Sequence, residues 1–395
     1  MSAVHPVAVG ASAGAAPDVV DRVRERLAAG AGPLTPHRVA AALREVGGPA
    51  GDATVLAVHD ALRRDVIGAG PLDPLLTTPG VTDVLVNGPA EVWIDRGSGL
   101  ERAAVTFPDD AAVRRLAQRL AASGGRRLDD HTPYADVRLP DGSRLHAVLA
   151  PLARPGTVIS VRVPRARVFT LHELVTAGTV TAEGAELLSA VVAARAAFLV
   201  TGGTGCGKTT LLSALLSLVD PDERLVLVED AGELRPDHPH VVSLEARPPN
   251  LEGAGEITVR DLVRQALRMR PDRLVVGEVR GGEVVELLAA LNTGHAGGCG
   301  TLHANSAADV PARVEALALA AGLGRDASHS QLGAALDVVL HVARGDDGRR
   351  RLAEVSVPRS TASGHVEMVA AATLDPDGRL APRSGAPLLR ERLGR

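Results

Sequence analysis

Gly202-Gly203-Thr204-Gly205-Cys206-Gly207-Lys208-Thr209 fits the pattern G-x-x-x-x-G-K-[ST]. In such a loop, backbone N–H groups cradle phosphates and the lysine neutralises them. Lys208 is the only lysine in the chain, although Lys and Arg together number 43. Arginine carries the positive charge everywhere else, so an ammonium here reads as a chemical requirement. Its compact three-donor head enters a phosphate nest that the wider guanidinium fork fits poorly. An apolar Phe198-Leu199-Val200 precedes the loop, and a helical run opening at Thr210-Leu211-Leu212 follows it. Strand, glycine loop and helix start together aim a helix N-terminus at an anion. The expected nucleotide contacts are Gly202, Gly203, Thr204, Gly205, Cys206, Gly207, Lys208, Thr209 and Thr210, with Thr209 also a ligand of Mg²⁺. Cys206 stands where the loop needs a small side chain, and no redox role is expected of it.

Other residues complete a hydrolytic reading. Leu274-Val275-Val276-Gly277-Glu278 is an apolar strand ending in a carboxylate. In a parallel sheet that end lies beside the phosphate loop, where a carboxylate can hold the Mg²⁺ hydration shell or activate the attacking water. Val228-Glu229-Asp230-Ala231-Gly232-Glu233 repeats the pattern. Glu229 and Glu233 either face metal and nucleotide or belong to a solvated turn, as charge runs usually do. The general base is left open among Glu278, Glu229 and Glu233, and the metal ligands are Thr209, Glu229 and Glu278. His295 and His303 are eight positions apart without a cysteine pair, which is not a zinc spacing. They read as hydrogen-bonding sensors of phosphate state. Arg264 and Arg268 share one helical face ahead of the Glu278 strand and are candidates to reach across a subunit or domain boundary.

The elements around these residues fall into two sets. Residues 17–65 have helical periodicity, with Val20, Val23 and Leu27 on one face. A Gly/Pro break at residues 68–74 ends it. Short alternating strands follow at residues 81–86, 91–95, 135–139, 144–150 and 158–163, with a helix at 111–123, so residues 56–165 read as an α+β domain. Trp93 is expected in its core. From residue 170 helices alternate with apolar strands at 197–200, 224–229, 241–244, 274–277 and 298–303, the pattern of a parallel sheet covered by helices. Residues 338–342, 351–357 and 366–373 predict a closing antiparallel hairpin or meander. Residues 1–55 are expected to be flexible or helical, and residues 376–395, rich in Pro, Gly and Arg, a disordered tail.

Composition narrows the classes. Apolar residues make up 45 % and aromatics 1 %, so Leu, Val and Ala must build the cores. A formal net charge of −4 gives no global footprint for nucleic acid. Two cysteines support no disulfide framework and suit a reducing compartment. No apolar run reaches the ~18 residues of a membrane span, and the first 17 residues lack the pattern of a secretory signal. A cytoplasmic protein is expected, peripheral at the inner face of the membrane through partners.

The run from Gly202 to Asn305 resembles the ATPases of type II and type IV secretion and of pilus assembly. Its phosphate loop, its acidic box from Glu229 to Glu233, its Gly277-Glu278-Val279-Arg280-Gly281 and its histidine box from Thr293-Gly294-His295 to His303 all match. Leu267-Arg268-Met269-Arg270-Pro271-Asp272-Arg273, with Val86-Asn87-Gly88 and Asp136-Val137-Arg138-Leu139-Pro140-Asp141-Gly142 further upstream, resembles the tight-adherence (Flp pilus) branch. The resemblance covers roughly residues 60–355. It implies a RecA-like P-loop NTPase domain of α/β class with a smaller N-terminal α+β domain, ATP and Mg²⁺ as cofactors, and a hexameric ring. It further implies a motor that couples hydrolysis to domain rotation and an inner-membrane platform protein as partner, with no direct contact to nucleic acid. Arg138 and Arg162 resemble positions that reach the nucleotide when the domains close. Cys206, and the glycines of Gly297-Gly298-Cys299-Gly300, depart from the family pattern without removing a functional group. Two other functions are compatible with these residues: a DNA-transfer motor of a conjugation apparatus, and a nucleotide-controlled scaffold without significant hydrolysis.

Overall fold

The computed structural model describes residues 17–28, 35–48, 51–66, 68–97, 99–164, 168–249, 253–345, 347–375 and 378–394. They form two compact units, residues 1–166 and 167–395. Among the described residues no helix is long and apolar enough to cross a membrane.

The first unit begins with α1 (Pro17–Ala28), α2 (Pro36–Glu45) and α3 (Asp52–Val66). Val23, Val39, Leu43, Val55, Val58 and Leu62 close a small core of their own between these helices. The expected boundary at residue 56 therefore falls inside α3. After α4 (Asp73–Leu76) come β1 (Asp83–Asn87), β2 (Val92–Asp95), β3 (Leu100–Arg102), α5 (Asp110–Ser123), β4 (Tyr134–Arg138), β5 (Arg144–Val148) and β6 (Val158–Arg162). The strands make one antiparallel sheet in the order β3-β2-β1-β6-β5-β4. Asp109 caps α5 by accepting from Ala112 N at 2.7 Å, and α5 buries Val113, Leu116, Ala117 and Leu120. The sheet has period-2 burial, with Val84, Val86, Val92 and Ile94 facing this core. Trp93 lies between Val92 and Ile94, so the pleat turns it to the opposite face, half-buried. That corrects its expected core position.

In the second unit, α6 (Leu171–Thr176) and α7 (Ala182–Ala193) lead into β7 (Phe198–Gly202), α8 (Lys208–Leu216), β8 (Leu225–Glu229), β9 (Val241–Glu245), α9 (Val259–Ala266), β10 (Arg273–Val279), α10 (Glu283–Asn292) and β11 (Cys299–His303). Then follow α11 (Val310–Ala320), α12 (Arg325–Ala335), β12 (Val338–Arg344), β13 (Arg350–Ser360), β14 (Val366–Leu374), β15 (Leu380–Pro382) and α13 (Ala386–Arg392). The nine strands are ordered β15-β14-β13-β12-β7-β11-β10-β8-β9. From β12 to β9 every pair is parallel, whereas β13, β14 and β15 are antiparallel.

Alternate residues of the central strands feed two cores, one on each face. Phe198, Val200, Leu225 and Leu227 join one; Leu199, Val226, Val228 and Val276 join the other. Burial on both faces is why these strands read as continuous apolar runs.

The expected disordered tail is replaced by structure at its described residues. β15 extends the sheet, α13 buries Leu389, and Leu393 just after it is buried too. Arg392 donates to Leu336 O at 2.9 Å, to Asp337 Oδ1 at 3.1 Å and to Pro358 O at 3.2 Å. Two leucines and one arginine dock a segment whose average composition reads as unstructured.

Candidate active site

The parallel register puts the C-terminal ends of β7, β8, β10 and β11 on one edge, and the loop between β7 and α8 rises there. Gly205 and Gly207 adopt φ of +70° and +100°, a left-handed backbone in which glycine is unstrained. Gly202, with φ of +146°, has a second reason to lack a side chain: a Cβ there would sit 2.2 Å from Val342 O and 2.6 Å from Cys206 Sγ. The Cys206 thiol donates to Gly203 O at 3.0 Å, tying the loop across its own turn.

Lys208, 7 % exposed, folds back along the loop. Its Nζ donates to Gly202 O at 3.1 Å and Gly203 O at 2.8 Å and lies 3.3 Å from His303 Nδ1. Burial lowers its pKa, opposed by the nearby Glu278 carboxylate among others. His303 ends β11 and faces Glu278 with its other nitrogen, Nε2, 2.5 Å from Oε1. Since the ammonium can only donate, Nδ1 accepts and the imidazole proton sits on Nε2, toward the carboxylate. Burial, then the Lys208 charge, lowers the His303 pKa and favours this neutral form. Glu278 Oε2 pairs with Arg280 at 2.5 Å. Oε1 is buried without a hydrogen-bond partner among the described residues.

Glu229 ends β8. Its Oε1 accepts from Glu233 N at 2.9 Å and Leu234 N at 3.0 Å, holding the turn after the strand. It is 4 % exposed, and burial raises its pKa. Oε2 is buried without a hydrogen-bond partner. Gly277 makes room for it, because a Cβ there would lie 2.5 Å from Glu229 Cγ. Glu233 is exposed, and Thr209 and Thr210 are half-buried in the first turn of α8.

Not every sequence candidate joins this cluster. His295 is separated from the loop by the length of β11, whose register pairs Cys299 with Phe198 and His303 with Gly202. Four strand steps span roughly 13 Å, so His295 lies at the opposite edge of the sheet, its Nδ1 3.2 Å from Ala290 O. The structure therefore does not bring His295 to the loop alongside His303. Arg264 pairs with Glu286 of α10 at 2.7 Å, and exposed Arg268 follows α9 at the edge where β10 begins. Neither is among the hydrogen-bond partners of Lys208, which are Gly202, Gly203 and His303. Arg138 and Arg162 lie in the first unit, in register with Arg144 between them.

Sequence reasoning passed over three supporting residues. Glu283 Oε1 accepts from Arg280 N at 2.6 Å and Gly281 N at 2.8 Å, fixing the turn that carries Arg280. His341, buried in β12, lies 3.0 Å from Thr201 Oγ1 beneath the loop. Arg350 of β13 donates from Nε to Gly205 O at 2.9 Å. Only Glu283 carried a local signal, an acidic residue at a helix start.

A glycine loop with a buried lysine, opposed by a strand-end glutamate, has the arrangement of the P-loop class on a RecA-like α/β sheet. The family model for type II/IV secretion system proteins matches residues 65–375, and the chain belongs to that family. A putative conjugal transfer protein of Mycobacterium tuberculosis is 58 % identical over 325 residues, covering 81 % of this chain and 92 % of the relative. The type IV secretion system protein PtlH of Bordetella pertussis is 32 % identical, covering 72 % and 92 %. The X-ray structure of the Legionella pneumophila ATPase DotB aligns with a TM-score of 0.51 at 17 % identity, over 74 % of this chain and 80 % of that one. The last shows a shared fold.

Proposed function

We propose that this secretion-family protein hydrolyses ATP as the motor of a type II/IV secretion or tight-adherence pilus machine. It works as a hexameric ring on the cytoplasmic side of the membrane, coupled to an inner-membrane platform protein. The observation that carries the reading is the run of contacts from Lys208 through His303 to Glu278, which links the phosphate-binding ammonium to a carboxylate with an unsatisfied buried oxygen.

The residues fit a Mg²⁺–nucleotide. Among the described residues no three His, Cys, Asp or Glu converge on a metal position, and Mg²⁺ characteristically takes one or two protein ligands and completes its shell with phosphate and water. Thr209 with Glu278 or Glu229 would hold it. When bound, Mg²⁺ would neutralise charge developing on the β and γ phosphates.

Lys208 exchanges its loop carbonyls for the β and γ phosphates, and the loop amides and α8 N-terminus bind the rest of the chain of phosphates. Releasing Lys208 frees the His303 imidazole to turn, and its Nε2–H is then the donor it offers to the γ-phosphate. Glu278 orients or deprotonates the attacking water, and Glu229 keeps the adjoining acidic turn in place. Arg138, Arg162, Arg264 and Arg268, absent from the in-subunit cluster, act on the γ-phosphate from across a domain or subunit boundary.

Two variants separate binding from chemistry. Lys208→Ala removes charge-assisted hydrogen bonds worth about 1.5–3 kcal/mol each, so nucleotide affinity falls. Glu278→Gln keeps shape and polarity, so ATP binds while turnover collapses. Calorimetry and phosphate release measure the two; near-normal turnover in Glu278→Gln would move the base to Glu229 or Glu233.

A further inference from the structure

The γ-phosphate end of the site is fixed by His303 and Glu278, which end β11 and β10 on one flank of β7. A linear triphosphate with its γ end there directs its nucleoside toward the opposite flank, where β12 and β13 stand. The group that lies over the loop on that flank is Arg350. Its Nε donates to Gly205 O at 2.9 Å, and its Cδ would be 3.4 Å from a Cβ on Gly207. Of the neighbouring arginines of the β12–β13 turn, Arg344 donates to Gly348 O at 2.8 Å, Arg351 pairs with Asp347 at 2.5 Å and Arg349 lies 3.9 Å from Asp347. The terminal guanidinium nitrogens of Arg350 have no such partner among the described residues.

The second unit offers no Phe, Tyr or Trp surface for a base. Its residues of these types are Phe198, 2 % exposed inside β7, and Phe169, packed on the same core. A guanidinium is the other planar side chain on which bases stack.

We infer that Arg350 is a nucleotide-binding residue, its guanidinium held by the Gly205 carbonyl as the plane on which the base of a nucleoside triphosphate stacks. This rests on the nucleotide-site reading above and adds to it where the base lies and what meets it.

The test compares ADP with inorganic tripolyphosphate, both with Mg²⁺, on the full chain by calorimetry. Arg350→Ala and Arg350→Lys should each weaken ADP roughly 10-fold or more, the scale of losing one stacked base, and leave tripolyphosphate within about twofold. Arg350→Phe, which restores a plane without charge, should recover a large part of the ADP affinity. Thermal melts establish that the half-exposed substitutions leave the fold intact. Equal losses for both ligands would show that Arg350 only shapes the loop, and rescue by lysine would show that it acts as a charge. Either result, or unchanged ADP binding, overturns the inference. Wild-type protein that binds neither ligand would overturn the nucleotide site itself, whatever the variants do.

Discussion

Gly277 tests how tightly the two acidic strand ends are fitted together. A Cβ at this position would stand 2.5 Å from Glu229 Cγ and 3.0 Å from Oε1. Carbon atoms in comfortable contact are about 3.5–4.0 Å apart, so Gly277→Ala forces the Glu229 side chain to move by about 1 Å or more. That side chain is buried, and its Oε1 holds Glu233 N and Leu234 N at 2.9 and 3.0 Å. Leaving a buried backbone donor unsatisfied costs about 1–3 kcal/mol each, so roughly 2–6 kcal/mol is at stake. Alanine restores a few tenths to about 1 kcal/mol of backbone entropy relative to glycine. A net loss of about 2–5 kcal/mol should lower Tm by roughly 5–15 °C for a unit of this size. Turnover should fall with it, since the acidic turn loses its anchor. The deciding measurement is a double-mutant cycle. In a Glu229→Ala background the clash is absent, so adding Gly277→Ala should change Tm little or raise it. A comparable drop in that background would show that the Gly277–Glu229 contact is not the cause, and the coupling of β8 to β10 argued here would fail.

Three further outcomes follow from the same geometry. Burial raises the Glu229 pKa, so the folded protein takes up this proton at higher pH than the unfolded chain, and the group's contribution to stability falls as pH rises through the folded pKa. Glu229→Gln should therefore gain most over wild type near neutrality, with the gap closing as pH drops into the ordinary carboxylate range; urea melts giving a pH-independent gap would refute this. Arg273, 2 % exposed, forks onto Glu223 at 2.8 and 3.1 Å; Arg273→Ala should cost about 3–5 kcal/mol, whereas Arg273→Leu with Glu223→Leu should cost far less, and equal losses in denaturant titrations would contradict the ion-pair account. If Arg138, Arg162, Arg264 or Arg268 acts in trans, its alanine variant should lose turnover, with folding intact, and regain part of it when mixed with Lys208→Ala subunits; full activity in all four single variants would remove the boundary arginines from the mechanism.

The parallel strands were legible because burial on both faces leaves a continuous apolar signature. Read from sequence at 197–200, 224–229 and 274–277, they stand at Phe198–Gly202, Leu225–Glu229 and Arg273–Val279. β3 and β15 were not legible. Each has three residues, and Leu100-Glu101-Arg102 offers no buried side chain to create a pattern. Trp93 misled for a related reason: an isolated aromatic suggests a core, but in a strand the alternation of its neighbours decides its face.

In the site, the sequence disclosed residues whose roles are set by a local backbone motif, and it was silent on those set by contact across the fold. Lys208 could be read because the glycines that shape its loop lie within a few positions of it. Arg350 could not, since its partner Gly205 is 145 positions away and arginine is common along the chain. The two histidines show the same division within one motif. Spacing treats His295 and His303 as a pair, but a strand of five residues separates their surroundings. Only His303 falls at the edge where β7 ends in Gly202. A motif read as a unit can thus supply one residue to the chemistry and another to a distant surface, and strand register is what divides them.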